Sequence, residues 1–85
     1  MMNVKVLFFG GLRERLGLAS TTITLPANAL TVADLRDHLT MQGAGWMALA
    51  QTKNLRAAVN QKMATMDLTI VDGDEIAFFP PVTGG

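Results

Sequence analysis

The last two residues of the chain, Gly84 and Gly85, are its strongest candidates for chemistry. A terminal carboxylate is a poor acyl donor until adenylation attaches a good leaving group. Attack of a sulfur donor on the acyl-adenylate would leave a thiocarboxylate, whose sulfur is a stronger nucleophile than oxygen. Partner enzymes would supply the electrostatic stabilisation and the proton transfers. Such a chain would need no catalytic side chain of its own.

The residues before the diglycine favour delivery of that carboxylate to a neighbouring protein. Pro80 ends the preceding strand because it has no backbone N–H, and the pair Pro80-Pro81 favours an extended backbone. Six extended residues reach at most roughly 20 Å, and glycine at the tip can pass a narrow channel. We therefore predict a folded domain over residues 1–79 and an extended tail over residues 80–85. Because glycine-rich ends also occur by chance, Gly-Gly alone is a weak signal.

The composition argues against most other kinds of site. The 85 residues contain no cysteine, which excludes disulfides, thiolate nucleophiles and zinc–thiolate sites. Seven basic and seven acidic residues cancel, so binding to nucleic acid or to a membrane surface is not expected. The single histidine, His38, has no second ligand in its neighbourhood and is interpreted as solvated. We predict no metal and no stably bound cofactor.

The N-terminal sequence bears on localisation. Its apolar run, Val6 to Phe9, is too short for the core of a signal peptide or for a membrane span. The glycine pair that follows, Gly10-Gly11, fits neither the dinucleotide fingerprint nor the phosphate loop. Because the apolar run is too short for either kind of segment, a cytoplasmic protein is predicted.

Hydrophobic periodicity defines the elements that must position the tail. Alternation predicts a first strand from Asn3 to Phe9, with a turn at Gly10-Gly11 and a short polar stretch around Arg13 to Arg15. Further strands are predicted at Thr21–Leu25, Leu55–Asn60, Leu68–Ile70 and Glu75–Phe79, and a short helical turn around Trp46, Met47 and Leu49.

The main helix carries a clear start signal. Thr31 occupies the N-cap, and Asp34 stands three residues later in the capping-box position. Val32, Leu35 and Leu39 form one apolar stripe, and the helix should stop near Gly43. A helical crossover between the hairpin and the later strands allows parallel pairing of the first and last strands. The predicted fold is α+β, a β-grasp (ubiquitin-like) mixed sheet packed on one main helix.

A family resemblance rests mainly on the C-terminal sequence from Asp72 to Gly85, DGDEIAFFPPVTGG. The sequences VKVLFF at 4–9 and AVNQ at 58–61 support it, and the match spans nearly the whole length. On these residues the chain resembles the small subunits of molybdopterin synthase, which are sulfur carriers of molybdenum cofactor biosynthesis.

The resemblance implies a chemical role for the tail. An E1-like adenylyltransferase would activate Gly85 with ATP, and a sulfur donor enzyme would convert it to the thiocarboxylate. Pro80, Pro81, Val82, Thr83 and Gly84 would then insert into the large subunit, in a heterotetramer of two small and two large subunits. Two such sulfurs would be transferred to cyclic pyranopterin monophosphate to make the dithiolene of molybdopterin. The small subunit itself would be the non-catalytic, sulfur-carrying partner.

The resemblance also implies a docking surface. Family members bind the large subunit through an apolar patch, whose matching positions here are Phe9, Met63 and Phe79, with Arg13 at the edge. Periodicity agrees independently, because a first strand that turns Phe8 toward the helix turns Phe9 to the opposite face. The alternative is that these side chains cover a second small core.

Three other functions compete with this interpretation. A sulfur carrier for thiamine thiazole synthesis shares the fold and the diglycine end, but usually lacks the Phe78-Phe79-Pro80-Pro81 lead-in. A ubiquitin-like modifier would instead be conjugated to lysines through Gly85. A plain interaction module would make no use of the diglycine. The lead-in and the region around Trp46 favour the molybdopterin synthase family.

Overall fold

Alternating apolar residues build the first strand, as the sequence predicted. In the computed structural model, which describes residues 1–81, this strand runs from Met2 to Phe8 and every second side chain is buried. The elements follow in the order β1 (Met2–Phe8), α1 (Gly10–Leu16), β2 (Ser20–Leu25), β3 (Ala29–Thr31), α2 (Val32–Thr40), a 3₁₀ helix (Ala44–Trp46), α3 (Met47–Gln51), β4 (Arg56–Val59), β5 (Lys62–Ala64), β6 (Thr69–Val71) and β7 (Glu75–Phe79).

The strands form one mixed sheet and one small accessory sheet. The main sheet has the order β2-β1-β7-β4-β5, and β3 pairs with β6. The strands β1 and β7 are parallel, whereas the other pairs are antiparallel. A parallel pair needs a crossover connection, which the helices provide. The predicted parallel pairing of the first and last strands is confirmed.

The capping box predicted at Thr31 begins α2. The Asp34 backbone N–H donates to the Thr31 hydroxyl oxygen at 3.1 Å, and the Thr31 N–H donates to the Asp34 carboxylate at 3.1 Å. The Thr31 backbone N–H is the main cause that lowers the pKa of Asp34 from its ordinary value of 3.8, and the Thr31 side chain is the second, because both favour the ionised carboxylate. Val32, Leu35 and Leu39 are buried, as their spacing predicted.

The core lies between the three helices and one face of the main sheet. Phe8 and Phe78 stack with ring centroids 6.5 Å apart, and Trp46 packs against Phe8 at 5.7 Å. The predicted helical turn around Trp46 is therefore confirmed, and it covers one edge of the core. The longest helix in residues 1–81 has nine residues. No helix there is long and apolar enough to span a bilayer.

Three elements differ from the predictions, and one of them is the strand β5, which lies where only a turn and a short stretch around Met63 were expected. The segment predicted as a turn and a polar stretch is the helix α1, which buries Leu12 and ends at Gly17 in the left-handed conformation (φ 67°). The strand β3 was not predicted, because its three residues become a strand only by pairing with β6. Leu30, for example, pairs with Ile70, which lies 40 positions later in the chain. Strand ends elsewhere shift by a residue or two, as at β4 and β6.

Candidate functional site

The strand that leads into the tail is the central strand of the main sheet. It lies between β1 and β4, with hydrogen-bonded neighbours on both sides. The Phe9 N–H donates to the Phe78 carbonyl at 3.2 Å and so extends the β1–β7 ladder by one step beyond β1. The base of the tail is therefore anchored in the most constrained part of the sheet.

The first tail residues lie against two neighbouring elements. Pro80 lies beside Gly10, where a Cβ would be only 3.3 Å from the proline Cγ, and Gly10 has a φ of +61°. Glycine is suited to both conditions. Pro81 lines a groove with residues of the β4 and β5 region, namely Asn54, Leu55, Arg56, Ala64, Thr65 and Met66. The predicted site residues Val82, Thr83, Gly84 and Gly85 lie outside the described residues.

The sheet face opposite the core is apolar near the tail. Cross-strand register places Leu7 beside Ala77, Ala77 beside Ala58, and Ala58 beside Met63, in one row across four strands. The strand neighbours of Leu7, Ala58 and Ala77 are buried against the helices, so these three side chains point the other way. Met63 shares their face through its register with Ala58. Adding the two phenylalanines of the next row, we call Leu7, Phe9, Ala58, Met63, Ala77 and Phe79 the open face.

The predicted docking residues belong to this open face. Phe9 is 47% exposed and Met63 is 65% exposed, which contradicts the alternative of a second small core. Phe79 is only partly buried, not fully exposed as predicted, because the central strand has Phe9 on one side and Arg56 on the other. Phe9 keeps an extended backbone (φ −128°, ψ 162°), so the alternation of β1 continues through it.

Arg13 is placed near this face by α1. Phe9 is the N-cap of the helix, and Arg13 follows it by four residues, about one helical turn. Its side chain is exposed, as is that of Arg56, which pairs in register with Phe79. The open face is therefore apolar at its centre and basic at the rim nearest the tail, the arrangement of a protein-binding patch.

Sequence reasoning missed three members of the open face. Leu7, Ala58 and Ala77 are partly buried and small or aliphatic, so nothing in their own type marks them as surface residues. The period-two pattern of β1 contained a signal for Leu7, which alternates with the buried Val6 and Phe8. The other two join the face only through the pairing of β4 with β7.

The described residues contain no candidate metal centre and little charge pairing. No group of three or more histidine, aspartate or glutamate side chains in residues 1–81 could hold a metal ion. The ion pair found there joins Arg36 to Asp37 at 3.2 Å on the exposed side of α2. The site therefore consists of a tail base, an apolar face and a basic rim.

Comparison with known proteins identifies the family. A model of the ThiS family matches residues 6–85, almost the whole chain. The chain belongs to the ThiS family. Among relatives of this ThiS member, the molybdopterin synthase sulfur carrier subunit of Escherichia coli K12 is 45% identical over 82 residues, covering 96% of this chain and 99% of the relative. The Haemophilus influenzae subunit of the same name is 40% identical over the full length of both chains. The predicted resemblance is confirmed.

Solved structures confirm the β-grasp fold of this ThiS family member. A chain in the complex of subunits 1 and 2 of the Helicobacter pylori molybdopterin-converting factor superposes with a TM-score of 0.66 and 29% identity, over 99% of this chain and 100% of that chain. Small archaeal modifier protein 1 of Haloferax volcanii superposes with a TM-score of 0.78 and 23% identity, covering 96% and 100%. The second likeness concerns the fold alone.

Proposed function

We propose that this ThiS family member is the sulfur carrier subunit of a molybdopterin synthase, and that it carries sulfur as a thiocarboxylate on Gly85. The observation that carries the proposal is the 45% identity to the Escherichia coli sulfur carrier subunit across nearly the full length of both chains. The central position of β7, which ends at the base of the tail, supports it.

In the proposed cycle the Gly85 carboxylate is activated, loaded with sulfur and regenerated. A cytoplasmic E1-like enzyme joins the Gly85 carboxylate to AMP from ATP and releases pyrophosphate. A sulfur donor enzyme attacks the carbonyl carbon through its persulfide, and AMP leaves. A thiol reductant then supplies two electrons that cleave the S–S bond to the donor, and the thiocarboxylate remains. The sulfur then passes to cyclic pyranopterin monophosphate, and water returns the carbonyl to the carboxylate. A second loaded carrier supplies the second sulfur of the dithiolene.

The large subunit would bind the open face and receive the tail. The Helicobacter pylori complex holds a similar chain together with a second subunit, which supports a partner of this kind. The apolar centre formed by Phe9 and Met63 would be covered, while Arg13 would lie at the polar rim. Two small and two large subunits would form the complete synthase.

Stepwise reconstitution tests the proposal. The purified chain is incubated with the adenylyltransferase, ATP and the sulfur donor enzyme, and its intact mass is measured. We expect replacement of one oxygen by one sulfur at Gly85. Addition of the large subunit and cyclic pyranopterin monophosphate should then yield molybdopterin. Isopeptide-linked adducts without the sulfur-bearing form would instead identify a modifier.

Two tail variants serve as controls for this experiment. A chain lacking Gly85, and one with a single residue added after it, should keep the fold and lose sulfur transfer. Retained transfer in either variant would contradict the mechanism. Product formation with a thiazole-forming synthase but not with the large subunit would favour the thiamine alternative.

A further inference from the structure

The outer edge of β2 is the longest free strand edge of the main sheet. In the strand order β2-β1-β7-β4-β5, β2 has a neighbour on one side only among residues 1–81. It has six residues, Ser20 to Leu25, whereas the opposite edge strand β5 has three and begins with Lys62. Short length and lysine are common protections of an edge strand, and β2 has neither.

The hydrogen bonding of β2 to β1 shows which backbone groups point outward. The Phe8 N–H donates to the Ala19 carbonyl at 2.9 Å, which makes Phe8 and Ala19 a hydrogen-bonded pair. Antiparallel ladders alternate, so Thr21, Ile23 and Leu25 also turn their backbone groups toward β1. The backbone groups of Ser20, Thr22 and Thr24 therefore face the open edge.

The composition of this edge suits a second identical strand. The sequence STTITL contains no charge, no proline and no glycine, and it is rich in β-branched residues. Two copies brought together about a two-fold axis would therefore place no like charges opposite each other. A charged strand from another protein would find no complementary charge on β2.

We propose that two copies of this chain associate through antiparallel pairing of their β2 strands, with the two-fold axis at Thr22. In this register Thr22 lies opposite Thr22 of the second copy, and Ser20 lies opposite Thr24. Every outward-facing backbone group named above then meets a partner, and the pairing is isologous. The exposed hydroxyls form Thr–Thr and Ser–Thr pairs on one face of the joined sheet.

The other face of the joined sheet would cover apolar surface. Thr21 and the partly buried Ile23 would lie opposite Ile23 and Thr21 of the second copy. They adjoin a groove between β2 and α2, which is lined by Thr21, Thr22, Ile23, Thr24, His38, Leu39, Gln42 and Trp46. The second strand would extend the sheet beneath this groove and reduce the exposure of Ile23.

The pairing leaves the proposed tail chemistry unobstructed. The strand β1 separates β2 from β7, so the base of the tail lies away from the new contact. Met63 lies at the opposite edge of the sheet, on β5. The inference therefore does not rest on the proposed function. A contact made mainly by one strand is small, so the dimer should be weak and reversible.

Sedimentation equilibrium over a range of concentrations tests the dimer. Wild type should show a monomer–dimer equilibrium, and Thr22→Lys should raise the dissociation constant at least about tenfold because it places two ammonium groups at the axis. Thr22→Val keeps the backbone pairing, and Thr69→Lys adds the same charge on β6; both should associate like wild type. A wild type that stays monomeric at about 1 mM, or equal weakening by Thr69→Lys, would overturn the proposal.

Single-cysteine cross-linking provides a second test that does not depend on a charged variant. The chain has no cysteine, so Thr22→Cys and the control Thr69→Cys each introduce one thiol. Hydrogen-bonded antiparallel pairs hold their Cα atoms about 5.5 Å apart, within the range of a disulfide. Oxidised glutathione would accept the two electrons and leave as reduced glutathione. We expect faster dimer formation by Thr22→Cys, slowed by dilution; equal rates for the two variants would contradict the register.

Discussion

Phe8 and Phe9 are adjacent in the chain and lie on opposite sides of the main sheet. Phe8 is 1% exposed and packs against Phe78 and Trp46, whereas Phe9 is 47% exposed on the open face. Since the side-chain period of a strand is two, one residue of displacement separates a core ring from a surface ring. The two rings therefore report on stability and on binding separately.

Alanine substitution should separate these roles. Phe8→Ala should lower the free energy of unfolding by about 3–5 kcal/mol, because it leaves a cavity in the core. Phe9→Ala should change it by less than about 0.5 kcal/mol while weakening binding to the large subunit by about 2 kcal/mol. Urea denaturation and calorimetric titration measure the two quantities. A comparable loss of stability in both variants would show that Phe9 belongs to the core.

Met63 and Met41 form a second matched pair. Both are exposed, at 65% and 85%, but Met63 lies on the open face and Met41 caps the C-terminus of α2. Met63→Asp should weaken large-subunit binding at least about tenfold, since it buries a charge in an apolar contact. Met41→Asp should bind like wild type. Equal effects of the two variants would indicate a general charge effect and not a docking contact.

Only some members of the open face could be predicted from the sequence. Alternation along one strand was sufficient to place Phe9, and Met63 was predicted to be exposed. Leu7, Ala58 and Ala77 could not be identified, because their place on the open face depends on register with strands distant in the chain. The partial burial of Phe79 has the same origin, since β7 became the central strand only through β4.

At the scale of elements, a helix or strand forms as predicted where its sequence signal lies within a few neighbouring residues. The capping box of α2 is made by Thr31 and Asp34 alone, and it forms as predicted. The helix α1 was missed because it starts with Gly10 and Gly11, which are poor helix formers, and has no side-chain cap. Burial of Leu12 against the core stabilises it instead, and that contact is tertiary.

The capping box gives α2 a pH-dependent contribution. The folded state lowers the pKa of Asp34 below 3.8, so the stabilisation is present above that pH and is lost as the pH falls through the folded value. Asp34→Asn should therefore lower the melting temperature at pH 7, and the difference from wild type should shrink as the pH falls below 3.8 and through the folded-state pKa. Thermal denaturation at several pH values measures this difference.

Asp37→Asn is the control for this experiment. It removes one carboxylate from the same helix, where the only partner in residues 1–81 is an exposed ion pair with Arg36. Exposed pairs contribute little, so this variant should unfold within about 1 kcal/mol of wild type. A difference between wild type and Asp34→Asn that stays constant with pH would show that the capping box is not the source.

At the scale of the whole molecule, the described core is complete before the last residue of β7. Core residues come from all three helices and from five strands, and the last buried side chain in residues 1–81 is Phe78. The division into a domain at 1–79 and a tail at 80–85 remains a prediction, which truncation of the chain can test. The order of elements was sufficient for the β-grasp topology, because a crossover helix leaves few other ways to pair the strands.

A chain that ends at Pro81 should fold like the full-length chain. The core and the sheet lie within the retained residues, so the melting temperature should change by less than about 2 °C. Calorimetry of the truncated and full-length chains, compared with Phe78→Ala as a core-damaged reference, provides the measurement. A large drop on truncation would mean that residues 82–85 contribute to the folded body.

The strand order has a consequence for synthesis on the ribosome. Because β7 inserts between β1 and β4, the two halves of the main sheet cannot join until the last strand has emerged. A prematurely terminated chain would contain two separate strand pairs, β1 with β2 and β4 with β5, and no common sheet. A native body therefore cannot exist before β7 has emerged, so products aborted earlier would be recognisable to proteases as unfolded.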